Sequence, residues 1–318
     1  MNRILDRVSK IGIVPVVKID DLEDAAPLAD ALCKGGLPVA EVTFRTALAK
    51  DAMFAMKKAR PDMILGAGTV LTTSQVDDAM EAGAEFIVSP GTNPRIVEYC
   101  QEKNIPIIPG CSTPSDIDVA LEHGISTVKF FPAEALGGLK MIKALSGPYV
   151  DLKFMPTGGI NESNICDYLA NERIVACGGT WMIDAKLIKE KRFDKIEELT
   201  RSAVKKMLGL ELDHVGVNAS KDTDYDIAKE FAKLLGSGVK ETEVSTFAGT
   251  TVEVMKKGRG THGHIAYRVN NTDRAVRYFE SQGYEFLEES AQYDEKGKLK
   301  LIYFKDEIAG FAVHLIQK

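Results

Sequence analysis

The chain has 318 residues, 45% hydrophobic and 27% charged, a balance that supplies an ample core for one large domain or two. A formal charge of -6, with no basic block along the chain, gives no electrostatic footprint for nucleic acid and no support for a membrane surface. The five cysteines (Cys33, Cys100, Cys111, Cys166 and Cys177) are odd in number and lack C-x-x-C spacing. The N-terminus is interrupted by charge too early for a signal peptide, and no apolar run is long enough for a span, so a reducing cytoplasm is expected.

Composition also divides the chain. All 12 prolines lie at or before Pro156, whereas four of the five histidines, His214, His262, His264 and His314, follow residue 210. The change falls near Leu208-Gly209-Leu210, which predicts two domains, 1–209 and 210–318.

From the N-terminus onward, short apolar runs bounded by Gly or Pro alternate with helical patterns. Strands are expected at 11–18, 39–45, 63–69, 85–90, 105–110, 125–131, 151–157 and 173–178. Helices fall between them, for example at 22–35 and 73–82, with Thr73 and Asn161 as expected caps. Eight strand–helix repeats in this length match an α/β fold of the compact (β/α)8 TIM-barrel type. An open doubly wound sheet is the alternative, but no G-x-G-x-x-G follows the first strand.

In such barrels the chemistry sits at the C-terminal ends of the strands. Alternation along 39–45 puts Glu41, Thr43 and Arg45 on one side and Val42 and Phe44 on the other. A carboxylate, a hydroxyl and a guanidinium facing a barrel interior are costly unless paired or used. The sixth strand reads Val128-Lys129-Phe130-Phe131, and desolvation among such neighbours favours the neutral, nucleophilic form of an amine. Lys18 and Lys153 also fall in strands, so spacing alone leaves three candidate lysines, and a strand lysine that merely snorkels is the commoner case.

The motifs Glu41-Val42-Thr43-Phe44-Arg45-Thr46, Gly66-Ala67-Gly68-Thr69-Val70 and Phe86-Ile87-Val88-Ser89-Pro90-Gly91 occur in this order. They are followed by Val128-Lys129-Phe130-Phe131-Pro132-Ala133-Glu134 and Pro156-Thr157-Gly158-Gly159-Ile160. Together they resemble the 2-keto-3-deoxy-6-phosphogluconate (KDPG) aldolase family, which includes the 4-hydroxy-2-oxoglutarate aldolases, over nearly all of residues 1–209. The resemblance implies a class I lyase, without a cofactor, in which Lys129 forms an imine with the C2 carbonyl of a small keto sugar acid and Glu41 shuttles the proton. It further implies that Arg45 and Thr69 bind the carboxylate end beside Pro90 and Phe131, that Thr157 holds the sugar hydroxyls, and that the chain assembles as a homotrimer. A non-catalytic sugar-acid binder on the same fold is the competing expectation, and it needs neither Lys129 nor Glu41.

The loops after the seventh and eighth strands carry Gly158-Gly159 and Gly178-Gly179-Thr180, where barrels commonly hold phosphate with backbone N–H groups. Gly158, Gly159, Gly179 and Thr180 are therefore the expected phosphate site, although glycines at such positions also serve simply as tight turns. Thr180 stands where the family usually has serine, and it keeps the hydroxyl. A phosphorylated substrate would give pyruvate and glyceraldehyde 3-phosphate; 4-hydroxy-2-oxoglutarate would give pyruvate and glyoxylate.

Residues 210–318 contain two similar segments, each an apolar strand followed by a helix and further strands, one beginning near Leu212 and the other near Gly263. The period of about 50 residues predicts a smaller α+β domain of paired βαβββ units. This part resembles the glyoxalase-type vicinal-oxygen-chelate superfamily. The resemblance implies a divalent metal at His214, Glu253, His264 and His314, with His314 where glutamate is more usual. A donor set of three imidazoles and a carboxylate suits Zn²⁺, Ni²⁺, Fe²⁺ or Mn²⁺.

Overall fold

The computed structural model describes residues 3–318 and divides the chain into two units, one ending at Met207 and the other running Leu208–Lys318. In the first unit the short β-branched runs become parallel strands because both their faces are covered, and every residue of most of them is buried. They are β1 Ile13–Val17, β2 Val39–Thr43, β3 Ile64–Gly68, β4 Phe86–Val88, β5 Ile107–Ile108, β6 Gly110–Cys111, β7 Thr127–Phe130, β8 Lys153–Pro156 and β9 Cys177–Gly179. One sheet has the order β5-β4-β3-β2-β1-β9 and a second the order β6-β7-β8, parallel throughout.

The two sheets are separated between β5 and β6 by Pro109, which has no N–H for a ladder. The expected strand 105–110 is thereby reduced to two short pieces. On the other side, isolated parallel bridges Phe154↔Ile174 and Thr157↔Gly178 run from the β8 segment toward β9. The faces turned toward the helices carry the large apolar residues: Phe130 and Phe154 meet edge to face at 6.5 Å.

Three local expectations are corrected. The stretch 22–35 is a 3-10 turn, Leu22–Asp24, followed by an α-helix, Ala25–Lys34. The cap of helix Thr73–Glu81 is Thr72, not Thr73. Thr72 is extended and its hydroxyl accepts from Gln75 N at 3.2 Å, while the Gln75 side chain accepts from Thr72 N at 3.2 Å. Asn161 accepts from Ser163 N in a turn, and the helix that follows begins only at Ile165.

The second unit is built on one eight-stranded sheet. Its strands are β10 Glu211–Asn218, β11 Val239–Glu241, β12 Ser245–Ala248, β13 Val252–Met255, β14 Gly263–Val269, β15 Phe286–Tyr293, β16 Leu299–Phe304 and β17 Phe311–Gln317. Helix Asp224–Leu235 follows β10, and helix Thr272–Ser281 follows β14. The order β11-β12-β13-β10-β14-β17-β16-β15 is two βαβββ runs, each with its last strand beside its first, meeting at the antiparallel β10–β14 pair. Among the described residues no helix is long and apolar enough to cross a membrane.

The capping geometry makes a distinction between neighbours testable. Thr72→Ala removes the capping box and is expected to lower the stability of the first unit by about 1 kcal/mol, with Thr73→Ala close to neutral, in urea unfolding followed by circular dichroism. The reverse ranking would contradict the cap assignment.

Candidate active site and candidate metal centre

In β7 the alternation puts Val128 and Phe130 on one face and Lys129 on the other. Lys129 pairs in register with Gly110 of β6 and Met155 of β8, and its Nζ donates to Glu41 Oε1 of β2 at 2.8 Å. Both side chains are withdrawn from solvent, with 7% of Lys129 and 0% of Glu41 exposed. The second Glu41 oxygen has no hydrogen-bond partner. The space for this carboxylate comes from β3, because a Cβ on Gly68 would lie 2.3 Å from Glu41 Oε1. The Lys129 ammonium also sits 5.5 Å from the centre of the Phe131 ring.

Beside this pair opens a cavity of about 520 Å³, lined by Arg45, Phe131, Thr157, Gly158, Gly159, Gly179 and Thr180 together with Lys18 and Trp181. Arg45, just past the end of β2, donates from Nε to Thr69 Oγ1 at 3.3 Å. Thr69 has φ of 56°, a left-handed conformation that costs a β-branched residue energy and is typical of residues held for a purpose. Thr43 turns its hydroxyl to Val17 O at 2.9 Å and so joins β2 to β1. Thr157 Oγ1 is buried without a partner, and a Cβ on Gly178 would lie 2.3 Å from it. A buried hydroxyl left unpaired is costly.

The candidate positions thus fall into two sets. Lys129 and Glu41 form one buried pair, and Arg45 reaches Thr69 at the cavity wall. Pro90 is exposed and meets the site only through its backbone, against Gly110, where a Cβ would lie 2.1 Å from Pro90 O. The other lysines are otherwise engaged: Lys18 pairs with Asp20 at 2.6 Å, and Lys153 donates to Glu172 O at 3.1 Å. Sequence reading missed Trp181, the single tryptophan of the chain, which lines the cavity with its Nε1 unpartnered. A lone tryptophan directly after Gly178-Gly179-Thr180 was the available signal; a Cβ on Gly179 would lie 1.9 Å from its ring.

In the second unit, His214 of β10, Glu253 of β13, His264 of β14 and His314 of β17 come from the four central strands of the sheet. Glu253 Oε2 lies 3.1 Å from His214 Nε2 and 3.0 Å from His264 Nε2, and those two nitrogens are 3.0 Å apart. The His314 ring is centred 5.6 Å from His214 and 5.2 Å from His264, and both its nitrogens are buried without a partner. Ser245 Oγ donates to Glu253 Oε1 at 2.6 Å.

Burial opposes charge on Glu253, but hydrogen bonds from His214, His264 and Ser245 hold its carboxyl well below the usual range. Burial likewise opposes charge on His214, and its bonds to Glu253 and Asp213 outweigh it and raise its pKa. His314 is pushed down to about 3, by burial first and then by His264 and His214. The ligand atoms of His214, Glu253 and His264 lie within 4.8 Å of one another, a donor set that could hold a divalent cation, and His314 lies beside them with both nitrogens unpartnered among the described residues.

A neighbour outside the four, Asp213, was not foreseen. In an unbroken strand it would point away from His214, but the β10–β14 register shifts between Leu212 and His214. Asp213 Oδ2 therefore reaches His214 Nδ1 at 2.6 Å, while Asp213 Oδ1 is held by Arg268 Nε at 2.5 Å. Fixing Nδ1–H in this way leaves Nε2 as the nitrogen that faces Glu253 and His264.

The first unit matches known proteins closely. The family model described as KDPG and KHG aldolase matches residues 4–199. The 2-dehydro-3-deoxy-phosphogluconate aldolase of Haemophilus influenzae is 53% identical over 203 residues, 64% of this chain and 96% of that protein. The KHG/KDPG aldolase of Escherichia coli K12 is 44% identical over 60% of this chain and 90% of its own length. Among solved structures, KDPG aldolase from Legionella pneumophila, with pyruvate captured as a covalent carbinolamine, is 40% identical with a TM-score of 0.61, covering 63% of this chain and 97% of that one. With this match over the residues that build the Lys129–Glu41 pair, the chain belongs to the KDPG and KHG aldolase family.

Proposed function

We propose that the first unit is a class I aldolase that cleaves 2-keto-3-deoxy-6-phosphogluconate to pyruvate and glyceraldehyde 3-phosphate, with its two parallel sheets as the parts of one (β/α)8 barrel. The single observation that carries the reading is the buried Lys129–Glu41 hydrogen bond of 2.8 Å. Lys129 passes its proton to Glu41 and attacks C2; Glu41 returns that proton to the leaving hydroxyl of the carbinolamine, so loss of water gives a protonated imine and an ionised Glu41. Glu41 then takes the proton of the C4 hydroxyl as the C3–C4 bond breaks. The electron pair flows into the imine and forms an enamine, while glyceraldehyde 3-phosphate leaves. Protonation of the enamine at C3, followed by water attack on the imine, returns pyruvate and the free lysine.

In this reading Arg45, bonded to Thr69, holds the carboxylate and Thr157, whose hydroxyl has no partner among the described residues, holds a sugar hydroxyl; both side chains line the cavity. Pro90 and Phe131 shape the pocket around the pyruvate end, and Gly158, Gly159, Gly179 and Thr180 take the phosphate at the far end of the cavity. Cleavage of 4-hydroxy-2-oxoglutarate to pyruvate and glyoxylate is the second activity of the same residues. The working assembly proposed is a homotrimer, and the site of action is the cytoplasm.

For the second unit we propose a glyoxalase-like domain in which His214, Glu253, His264 and His314 hold one divalent metal ion. When bound, such an ion polarises the oxygens of a ligand. Asp213 orients the His214 ring and Arg268 holds Asp213.

Two measurements test these assignments. The purified chain is expected to release pyruvate from 2-keto-3-deoxy-6-phosphogluconate. Thr180→Ala should raise KM about tenfold for that substrate, the worth of one hydrogen bond to a charged group, and leave KM for 4-hydroxy-2-oxoglutarate unchanged. Absence of pyruvate release, or equal changes for both substrates, would contradict the reading. At the second unit, Asp213→Asn is expected to weaken Zn²⁺ binding about 10- to 100-fold by calorimetry; unchanged affinity would remove Asp213 from the metal's surroundings.

A further inference from the structure

The loop that joins β13 to β14, residues 256–262, carries a cation to the edge of the histidine cluster. Asn218 straps it down twice: Arg259 N donates to Asn218 Oδ1 at 2.9 Å, and Asn218 Nδ2 donates to Gly260 O at 2.9 Å. Gly260, with φ of +68°, is pressed so closely on the sheet that a Cβ would lie 2.3 Å from Gly263 O and 2.5 Å from Ala312 N. The loop is therefore fixed against the starts of β14 and β17, the strands that bear His264 and His314.

From this loop the Arg259 guanidinium lies 4.3 Å from the centre of the Tyr303 ring, and the same ring is centred 4.5 Å from His314. Arg259 is exposed and has no carboxylate partner among the described residues, whereas Lys256 of the same loop is held by Glu241 at 2.8 Å. A planar cation, pre-positioned by its loop and stacked on an aromatic ring, thus stands one side chain away from a buried imidazole with both nitrogens unpartnered.

We propose that Arg259 anchors the carboxylate of a small 2-oxo acid whose carbonyl oxygen reaches the metal ion held by the cluster. The inference rests on the metal reading of the second unit. One carboxylate among four donors leaves a divalent ion with net positive charge, and Arg259 adds a second positive group, so the site selects an anion. Only one side chain separates guanidinium and imidazole, so the anion is a few atoms long. A 2-oxo acid carries its second oxygen donor next to the carboxylate, and this is also the chemical class that the first unit handles.

The full chain loaded with Co²⁺ and titrated with pyruvate tests this through the visible bands of the metal, which an imine at Lys129 does not touch. Pyruvate is expected to shift those bands saturably. Arg259→Met should weaken the pyruvate response about tenfold or more, the loss of one charge-assisted pair, without changing Co²⁺ affinity or the pyruvate-free spectrum. Arg259→Lys should fall between the two, and uncharged pyruvamide should respond weakly in all three. Equal pyruvate affinity in wild type and Arg259→Met, or Co²⁺ bands that ignore pyruvate, would overturn the anchor. Failure to bind Co²⁺ at all would instead overturn the metal reading, and the anchor with it.

Discussion

The buried pairing of Lys129 with Glu41 constrains the first unit more than any other contact. An ammonium and a carboxylate held 2.8 Å apart and shielded from water are expensive to desolvate, and removing either partner strands the other at a cost of about 3–5 kcal/mol. The surroundings are adapted to them. Gly68 leaves the volume that Glu41 fills, and Gly110 lets the β4 loop carbonyl of Pro90 pass close beside Lys129's neighbour in register. The second oxygen of Glu41 and the hydroxyl of Thr157 have no protein partner among the described residues. Stability is given up where chemistry is to be done.

The second unit reaches a comparable incompleteness by a different route. Each βαβββ run places its last strand beside its first, so His214, Glu253 and His264 bring donor atoms within 4.8 Å of one another, with the His314 ring beside them. His214, Glu253, His264 and His314 then share space that hydrogen bonds alone do not satisfy. A one-residue irregularity in β10 brings Asp213 onto the same histidine that its backbone neighbour carries. Both units thus set buried nitrogen bases against carboxylates, Lys129 against Glu41 in one and His214 and His264 against Glu253 in the other.

Much of this was legible in the sequence because polar residues inside strands are conspicuous. Alternation alone put Glu41 and Thr43 on one face, and Lys129 stood out among Val128, Phe130 and Phe131. The repeated apolar strand and helix after residue 210 gave the two βαβββ runs, and the resemblance to the vicinal-oxygen-chelate superfamily, not the repeat, pointed to His214, Glu253, His264 and His314. What escaped depends on contacts distant along the chain. The Asp213–His214 bond follows from a register shift against β14, and the break at Pro109 follows from ladder bonding that a strand pattern does not report. Thr72 outranked Thr73 as a cap only because its backbone is extended where Thr73 is already helical. Trp181 was passed over because its neighbours read as a turn, and only the cavity gives its position meaning.

The most direct test is to incubate the full chain with pyruvate, reduce with borohydride, and locate the adduct by intact mass and peptide mapping. A single reduced pyruvyl group on Lys129 is the predicted result, since among the described lysines this one lies buried against a carboxylate, beside the Phe131 ring that lines the cavity. An unmodified protein at saturating pyruvate, or an adduct on Lys18 or Lys153 in place of Lys129, would contradict the assignment of the nucleophile.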